Sequence, residues 1–363
     1  MKTAAVLLSR QPLHPCKKTL WVRHAVNAVK WVKHNADALY TSVGMQTWEL
    51  LVTLAHRYNL KQAIVIPAEN ETGFNQQCRY ITVQFNLNPK ISEFIPLYPD
   101  TSGNILQQQR DTFIVSHADM LLPVSIRKNG GMQRLLAGHC EKGKEIVTSF
   151  QCEYDKKPSP VSYTVRKESL NPALSTVSKQ YLIHWTRTSN RAWPDETLYD
   201  YYTAILSSDT YPRNARETLA HILFSRRILA SSRHIPENIP TVSFSGTAPE
   251  EFLPLMRYRA RYRQMSFEPY GIGIAKEYAH AAGITKVHYY EKSGDNPIYP
   301  SDAWLTQSTG VKSDWQQEDE YRHLGDINLS QIPKNKLCCL CYRPSEAKIL
   351  SKAYNLNTIS FTQ

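Results

Sequence analysis

The chain contains no apolar run of about 18 residues, so no stretch is long enough to cross a bilayer as a helix. Its first ten residues carry an apolar stretch too short for a secretory signal and followed by no small-residue cleavage site, which predicts a cytoplasmic protein. Acidic residues are in deficit, 32 Asp and Glu against 43 Lys and Arg, for a formal charge of +11 and a pI near 9.2. A surface so biased favours polyanions, and nucleic acid is the commonest, so DNA is the expected partner. A disulfide framework is also missing: the seven cysteines are odd in number and scattered, at Cys16, Cys78, Cys140, Cys152, Cys338, Cys339 and Cys341. The Cys338-Cys339-Leu340-Cys341 cluster has no second pair at zinc-finger spacing. It reads as a buried strand over 336–342 in which cysteine acts as a small hydrophobe, and no metal is expected.

What is present fits two domains, because 363 residues exceed one typical core. In the first half, apolar runs alternate with helical periodicity: a strand at 20–22, a helix over 26–34, a strand at 38–41, a helix over 47–58 with Leu50, Leu51, Leu54 and Ala55 on one stripe, and a strand at 62–67. Strands alternating with helices predict a parallel sheet covered on both faces, an α/β Rossmann-like domain over 1–154. Polar, proline-punctuated sequence over 155–178 reads as a linker, and 179–363 as an α+β second domain.

Two turns of the first half could receive an anion. Thr41-Ser-Val-Gly-Met-Gln-Thr-Trp48 joins a strand to a helix, where free amides and the helix dipole favour phosphate, although the full Gly-x-Gly-x-x-Gly pattern is missing. The segment from Arg110 to Met132 offers a strand, a polar turn and the pair Gly130-Gly131. On these residues the region resembles the SLOG and DprA-type Rossmann domains. That resemblance implies a cleft for a nucleotide or single-stranded DNA. The alternative is that Gly44, Gly130 and Gly131 only permit tight turns.

The second half reads as a strand over 180–187, in which His184 and Thr186 share a face, helices over 197–206 and 215–223, and a strand over 239–246. Residues 255–263 interleave Arg257, Arg259, Arg261 and Arg263 with Tyr258 and Tyr262. As a helix they would make two basic ridges and an aromatic stripe, suited to phosphates and bases, or simply a solvated face. A turn and strand follow over 267–274, a helix over 276–282, a strand over 286–290, and a last helix whose first turn takes Pro344. Between them lies Trp315-Gln-Gln-Glu-Asp-Glu-Tyr-Arg322. If it is extended, Glu318, Glu320 and Arg322 stand in one row, either an ion network at an edge or a site for chemistry.

His184-Trp-Thr186, an Arg before the strand containing Val242-Ser-Phe, and a late Glu resemble the DarT-type DNA ADP-ribosyltransferases. The segments around Thr241, Tyr270-Gly-Ile-Gly-Ile and Trp-x-x-Glu-x-Glu-x-Arg also resemble an abortive-infection family of the AbiGi type, associated with phage defence. The first resemblance implies NAD as donor, with His184 and Thr186 holding its nicotinamide end, Arg233 contacting NAD or the base, and Glu320 catalytic. Glu318 competes for that last place, and the motif spacing departs from the family's own. The residue types suit the chemistry: a carboxylate for a ribosyl centre, a cation for a diphosphate, and donors for an amide. Tyr270 joins the expected binding residues. The leading expectation is a DNA-modifying enzyme. The alternatives are a nucleobase-modifying hydrolase or transferase without NAD, its Glu a general acid/base, and a non-catalytic nucleotide sensor or DNA-binding module. The oligomeric state is not legible.

Overall fold

The first apolar run of the chain is strand β1 (Thr3–Leu8), buried at every residue. The computed structural model describes residues 1–99, 105–140, 144–155, 163, 165–232, 235–290, 300–309 and 315–363. The chain divides into two units, Met1–Ser159 with Arg191–Pro212, and Pro160–Asn190 with Arg213–Gln363.

After β1 comes α1 (Leu20–Asn35), which buries Trp21, Val22, Ala25, Ala28, Val29 and Val32. The expected strand at 20–22 is therefore corrected: Trp21 and Val22 open a stripe spaced by three and four, the period of a helix. Then follow β2 (Ala38–Ser42), α2 (Gln46–Arg57), β3 (Gln62–Pro67), α3 (Glu71–Gln84), β4 (Ser92–Leu97), α4 (Leu106–His117), β5 (Met120–Ser125), α5 (Gly131–Cys140) and β6 (Glu145–Ile146). The strand expected after Arg110 is also corrected. Arg110 lies inside α4, whose inner face buries Ile114 and Val115, and the strand starts only at Met120. The six strands pair in the order β4-β3-β2-β1-β5-β6, parallel throughout. This is an α/β layer of Rossmann-like form, with its order reversing between β1 and β5.

The second unit opens with α6 (Leu174–Gln180) and β7 (Tyr181–Trp185). Residues 191–212 then return to the first unit with α7 (Leu198–Ser207). Its Tyr201, Tyr202 and Ile205 join the first core, and Tyr202 Oη donates to Glu49 Oε2 at 2.6 Å. The expected boundary near 179 thus misses a helix that belongs with residues far upstream, because those aromatics find their burial there.

The second unit continues with α8 (Ala215–Ser225), β8 (Arg227–Ile228), β9 (Thr241–Ser245), β10 (Tyr258–Arg259), β11 (Gln264–Met265), β12 (Gly271–Ala275), α9 (Lys276–Ala281), β13 (Thr285–Lys286), β14 (His288–Tyr290), β15 (Thr306–Ser308), β16 (Glu320–Leu324), β17 (Ile327–Asn328), β18 (Leu337–Cys341), α10 (Pro344–Tyr354) and β19 (Asn357–Ser360). Seven strands form one sheet in the order β13-β16-β9-β7-β12-β18-β19, antiparallel except for the last pair. Apolar clusters cover both faces. Leu182, Phe244, Ile272 and Cys339 lie in one, and Ile183, Trp185, Cys338 and Leu340 in the other.

Two expectations fail here. Residues 255–263 form no helix: Tyr258 pairs with Met265 and Arg259 with Gln264 in a small hairpin whose turn takes Arg263 at φ 53°. Buried Leu255 and Met265 anchor its two ends, and between them no apolar stripe exists to hold a helix on the core. The strand expected over 286–290 is divided, β13 pairing with β16 and β14 with β15.

Candidate active site

Register on the second sheet places the polar side chains. Glu320 pairs with Ser245 and Arg322 with Ser243 across β16 and β9, and Ser245 pairs with Ile183 across β9 and β7. Directly paired residues share a face, so Glu320, Arg322, Ser243 and Ser245 form one polar patch. Arg322 is 1 % exposed. Its Nε donates to Glu320 Oε1 at 2.8 Å and its Nη2 to Oε2 at 2.9 Å, a bidentate fork. Ser243 Oγ donates to the same Oε1 at 2.8 Å. The backbone N–H of Glu320 donates to Tyr289 Oη at 3.2 Å.

Glu318 does not stand in that row. Residues Trp315–Glu318 form a 3-10 turn, and Asp319 at φ 47° breaks the chain's direction before β16 begins. The expected line of three charges is therefore two on a strand with a third arriving from a turn. That turn is pinned by Ser245 Oγ to the Glu318 carbonyl and Thr247 Oγ1 to that of Gln317, both at 2.7 Å, and by the N–H of Gly246 to the Asp319 carbonyl at 2.9 Å. A Cβ at Gly246 would overlap the Asp319 side chain, which is why glycine ends this strand. Burial of its carboxyl, then the charge of Glu320, push Glu318 up to about 8, against the pull of Arg322 and Arg187.

The remaining expected site residues are dispersed. His184 pairs by register with the opposite face of the sheet, its ring centroid 5.8 Å from that of Phe244 and its Nδ1 2.9 Å from the Ser243 carbonyl. Ser243 thus joins His184 to Glu320 indirectly, carbonyl to one and hydroxyl to the other. Burial lowers the His184 pKa, and the charge of Arg187 adds to this, while the bond to Ser243 opposes it. Thr186 is buried, and its hydroxyl donates to the carbonyls of Ala215 at 3.0 Å and Tyr270 at 3.3 Å. Tyr270 is buried as well, its hydroxyl donating to both Glu346 oxygens at 3.1 and 3.2 Å in the first turn of α10. Arg233 lies outside the described residues. On the hairpin, Arg257 and Arg261 are exposed while Arg259 and Arg263 are half-buried, and the Arg259 and Arg261 guanidiniums lie 6.0 and 5.7 Å from the Tyr262 ring centroid.

Sequence reasoning missed Ser243 and Ser245, although two serines alternating with Val242 and Phe244 carry the two-residue period of a sheet with one polar face. It also missed Glu268, a carboxyl with no exposure, held by the hydroxyls of Tyr163 and Thr188 and the Thr188 N–H. Burial raises its pKa.

In the first unit, Gly44 takes φ 83°, which other residues rarely adopt, and its N–H donates to Glu49 Oε1 at 3.1 Å. A carboxylate of the chain itself therefore answers this helix start. Elsewhere in that unit a cavity of about 690 Å³ opens beside β5, walled by Pro123, Val124, Ile126, Leu136 and Ile146, with Lys128 and Tyr154 also lining it. Among the described residues no helix is long and apolar enough to cross a membrane.

No protein-family model matches the chain, and no curated protein matches it. Among solved structures it is similar to DNA processing protein A from Streptococcus pneumoniae, at 12 % identity and a TM-score of 0.29, over 40 % of this chain and 49 % of that one. It is likewise similar to DNA processing protein A from Helicobacter pylori, whose structure is described for its single-stranded DNA binding mode, at 11 % identity and a TM-score of 0.30, over 40 % of this chain and 63 % of that one. The chain covers less than two thirds of either protein. Scores this low carry no argument about function, and the Rossmann-like form rests on the parallel sheet itself.

Proposed function

We propose that the second unit is a group-transfer enzyme acting on DNA, with Glu320 and Glu318 as its carboxyl groups and NAD as the donor of an ADP-ribosyl group. The observation that carries this reading is the carboxyl pair itself: Glu320 forked by buried Arg322, and next to it Glu318, pushed up to about 8. Two carboxyls in such different surroundings suit two roles. One stabilises positive charge at a ribosyl carbon, and the other takes or gives a proton near neutrality.

The residues meet NAD's requirements in part. A carboxylate is present for the ribose, and exposed Arg187, whose charge reaches Glu318 and Glu268, supplies a cation for a diphosphate. The nicotinamide clamp is less well served, since the Thr186 hydroxyl is committed to two main-chain carbonyls. NAD would supply the activated glycosidic bond, which breaks to release nicotinamide as the base bonds to the ribosyl carbon, and this chain's residues would orient it and take up the proton of the attacking base. DNA as acceptor is supported by the +11 charge and by the exposed arginines and tyrosines of the hairpin. The test is incubation with labelled NAD and single- or double-stranded DNA. Label on DNA, lost in Glu320→Gln, is the expected result. No label on DNA or protein, from a folded enzyme, removes NAD and leaves a hydrolase or transferase that uses the same carboxyls.

A second reading, ligand capture by the first unit, is favoured by the cavity beside β5. It expects a nucleotide to raise the melting temperature of the wild-type chain and to do so less for Leu136→Trp, whose ring would intrude into the cavity.

A further inference from the structure

Arg322 does more than pair with Glu320. Its Nη1 donates to the carbonyls of Trp304 at 2.7 Å and Thr306 at 3.2 Å, and its Nη2 also donates to Gln307 Oε1 at 3.0 Å. With the two bonds to Glu320, one planar group therefore holds a carboxylate on β16 and three acceptors on the segment leading into and along β15. That segment has few strand bonds of its own, for among the described residues β15 pairs only with β14, in a two-stranded sheet. A lysine could satisfy the carboxylate as a point charge, but it could not present donors in a fixed fork to both partners.

We infer that Arg322 is a positioning residue that locks the Glu320 carboxylate and segment 304–307 together, so that neither holds its place without the other. A buried ion pair alone contributes little net stability over a well-packed apolar pair, so a guanidinium with this many oriented bonds is better explained by what it orients. The role rests on the carboxyl pair being the reactive site, and the segment that Arg322 clamps then forms a wall of that site. The lock also bears on Glu318. The charges acting on Glu318 are Glu320 and Arg322 on β16 and Arg187 beyond β7, while Tyr289 on β14 feels Glu318 and Asp319, and Asp319 is itself paired with Lys286. Of these, Arg322 and Arg187 favour the ionised form of Glu318.

Amide hydrogen exchange of the full chain tests the lock without any ligand. Both Arg322→Lys and Glu320→Gln are expected to speed exchange across 303–309 by about ten-fold or more, with the amides of β18 unchanged as the folding control. If Arg322→Lys loosens the segment while Glu320→Gln leaves it as in wild type, Arg322 only props a loop and the inference is overturned. It is overturned equally if neither change loosens the segment. Label transfer from NAD is a separate arm. There Arg322→Lys should lower kcat with little change in KM for NAD, and Arg322→Gln should move the Glu318 limb of the pH profile to higher pH. A prop without a role in the site would leave kcat of Arg322→Lys at the wild-type value, which also overturns the inference. Wild-type protein that transfers no label but shows coupled exchange removes the reaction and keeps the lock, whereas transfer without coupled exchange removes the lock and keeps the reaction.

Discussion

The two sheets are built on opposite plans. In the first unit, β1 and β5 are buried at every residue, because a parallel sheet with helices on both faces leaves a central strand no wet side. In the second, β9 and β16 bring Ser243, Ser245, Glu320 and Arg322 onto one face beside Val242 and Phe244 on the other. The first sheet buries only uncharged polar groups such as Thr41, whose hydroxyl donates to Gln62 Oε1, whereas the second carries charged ones mid-strand, each with a partner. The difference is one of burial: the second sheet accepts a buried charge pair that adds little net stability, and the first accepts none within its central strands.

Unpairing that charge should give the largest effect. Glu320→Ala leaves the Arg322 guanidinium buried with half its fork empty, and a loss of about 3–5 kcal/mol is expected in urea unfolding. Adding Arg322→Met should recover most of it, because the uncompensated charge is then gone. No recovery would mean that the lost stability lies in the bonds of Arg322 to segment 304–307 and not in the stranded charge. In the first unit the matching change is Leu121→Ala on fully buried β5, expected to lose about 3 kcal/mol through the cavity it leaves. A second substitution at a neighbouring polar group should rescue nothing there, since no charge is stranded.

The two plans also decide how much can be read from the sequence. The strand over 62–67, the helix stripe at Leu50, Leu51, Leu54 and Ala55, and the strand of cysteines 338, 339 and 341 are legible because burial on both sides leaves unbroken apolar runs or a clean helical period. The segment at 20–22 misleads because three apolar residues fit either period until Ala25, Ala28 and Val29 are counted with them. The hairpin at Tyr258 misleads because alternate arginines look alike on a helix and on a turn. At the site, Glu320 and Arg322 are legible as an alternating pair. The turn that detaches Glu318 is not, since it depends on Asp319 in a left-handed conformation and on serine and threonine side chains from another strand.

A moderate effect tied to pH is expected at Glu318. Its folded-state pKa, about 8, lies above the ordinary carboxyl value, so its favourable contribution is fully present below that ordinary value and is lost as pH rises through about 8. Glu318→Gln, which cannot ionise, should match wild type near about pH 4 and gain on it steadily toward about pH 9, read as the difference in melting temperature. His184 acts in the reverse sense, its depressed pKa removing stability as pH falls, so the acid limb should persist in Glu318→Gln. A melting difference independent of pH would show that Glu318 binds its proton no more tightly in the folded chain than in the unfolded one, and the two carboxyls would no longer have distinct roles.

The smallest effect on stability should come from the hairpin, where the second unit carries charge with no core to maintain. Tyr258 and Tyr262 are 38 % and 40 % exposed, and Arg257 and Arg261, each preceding one of them, are exposed too, so replacing these residues should change unfolding by no more than about 0.5 kcal/mol. Nucleic-acid binding should respond instead. Arg257→Gln with Arg261→Gln should weaken binding to an oligonucleotide and reduce the slope of log affinity against log salt by about 1–2, as two phosphate contacts are lost. Tyr262→Ala should weaken binding with the slope unchanged, because a ring that stacks on a base releases no counterion. In a helix the tyrosines would form a stripe apart from the arginines. In the hairpin Arg259 and Arg261 flank Tyr262, so Arg261→Gln and Tyr262→Ala should be non-additive, the double variant losing less than the sum. Additive losses would mean that ring and guanidinium meet the nucleic acid separately, and unchanged affinity in both would leave the basic surface with no part in binding it.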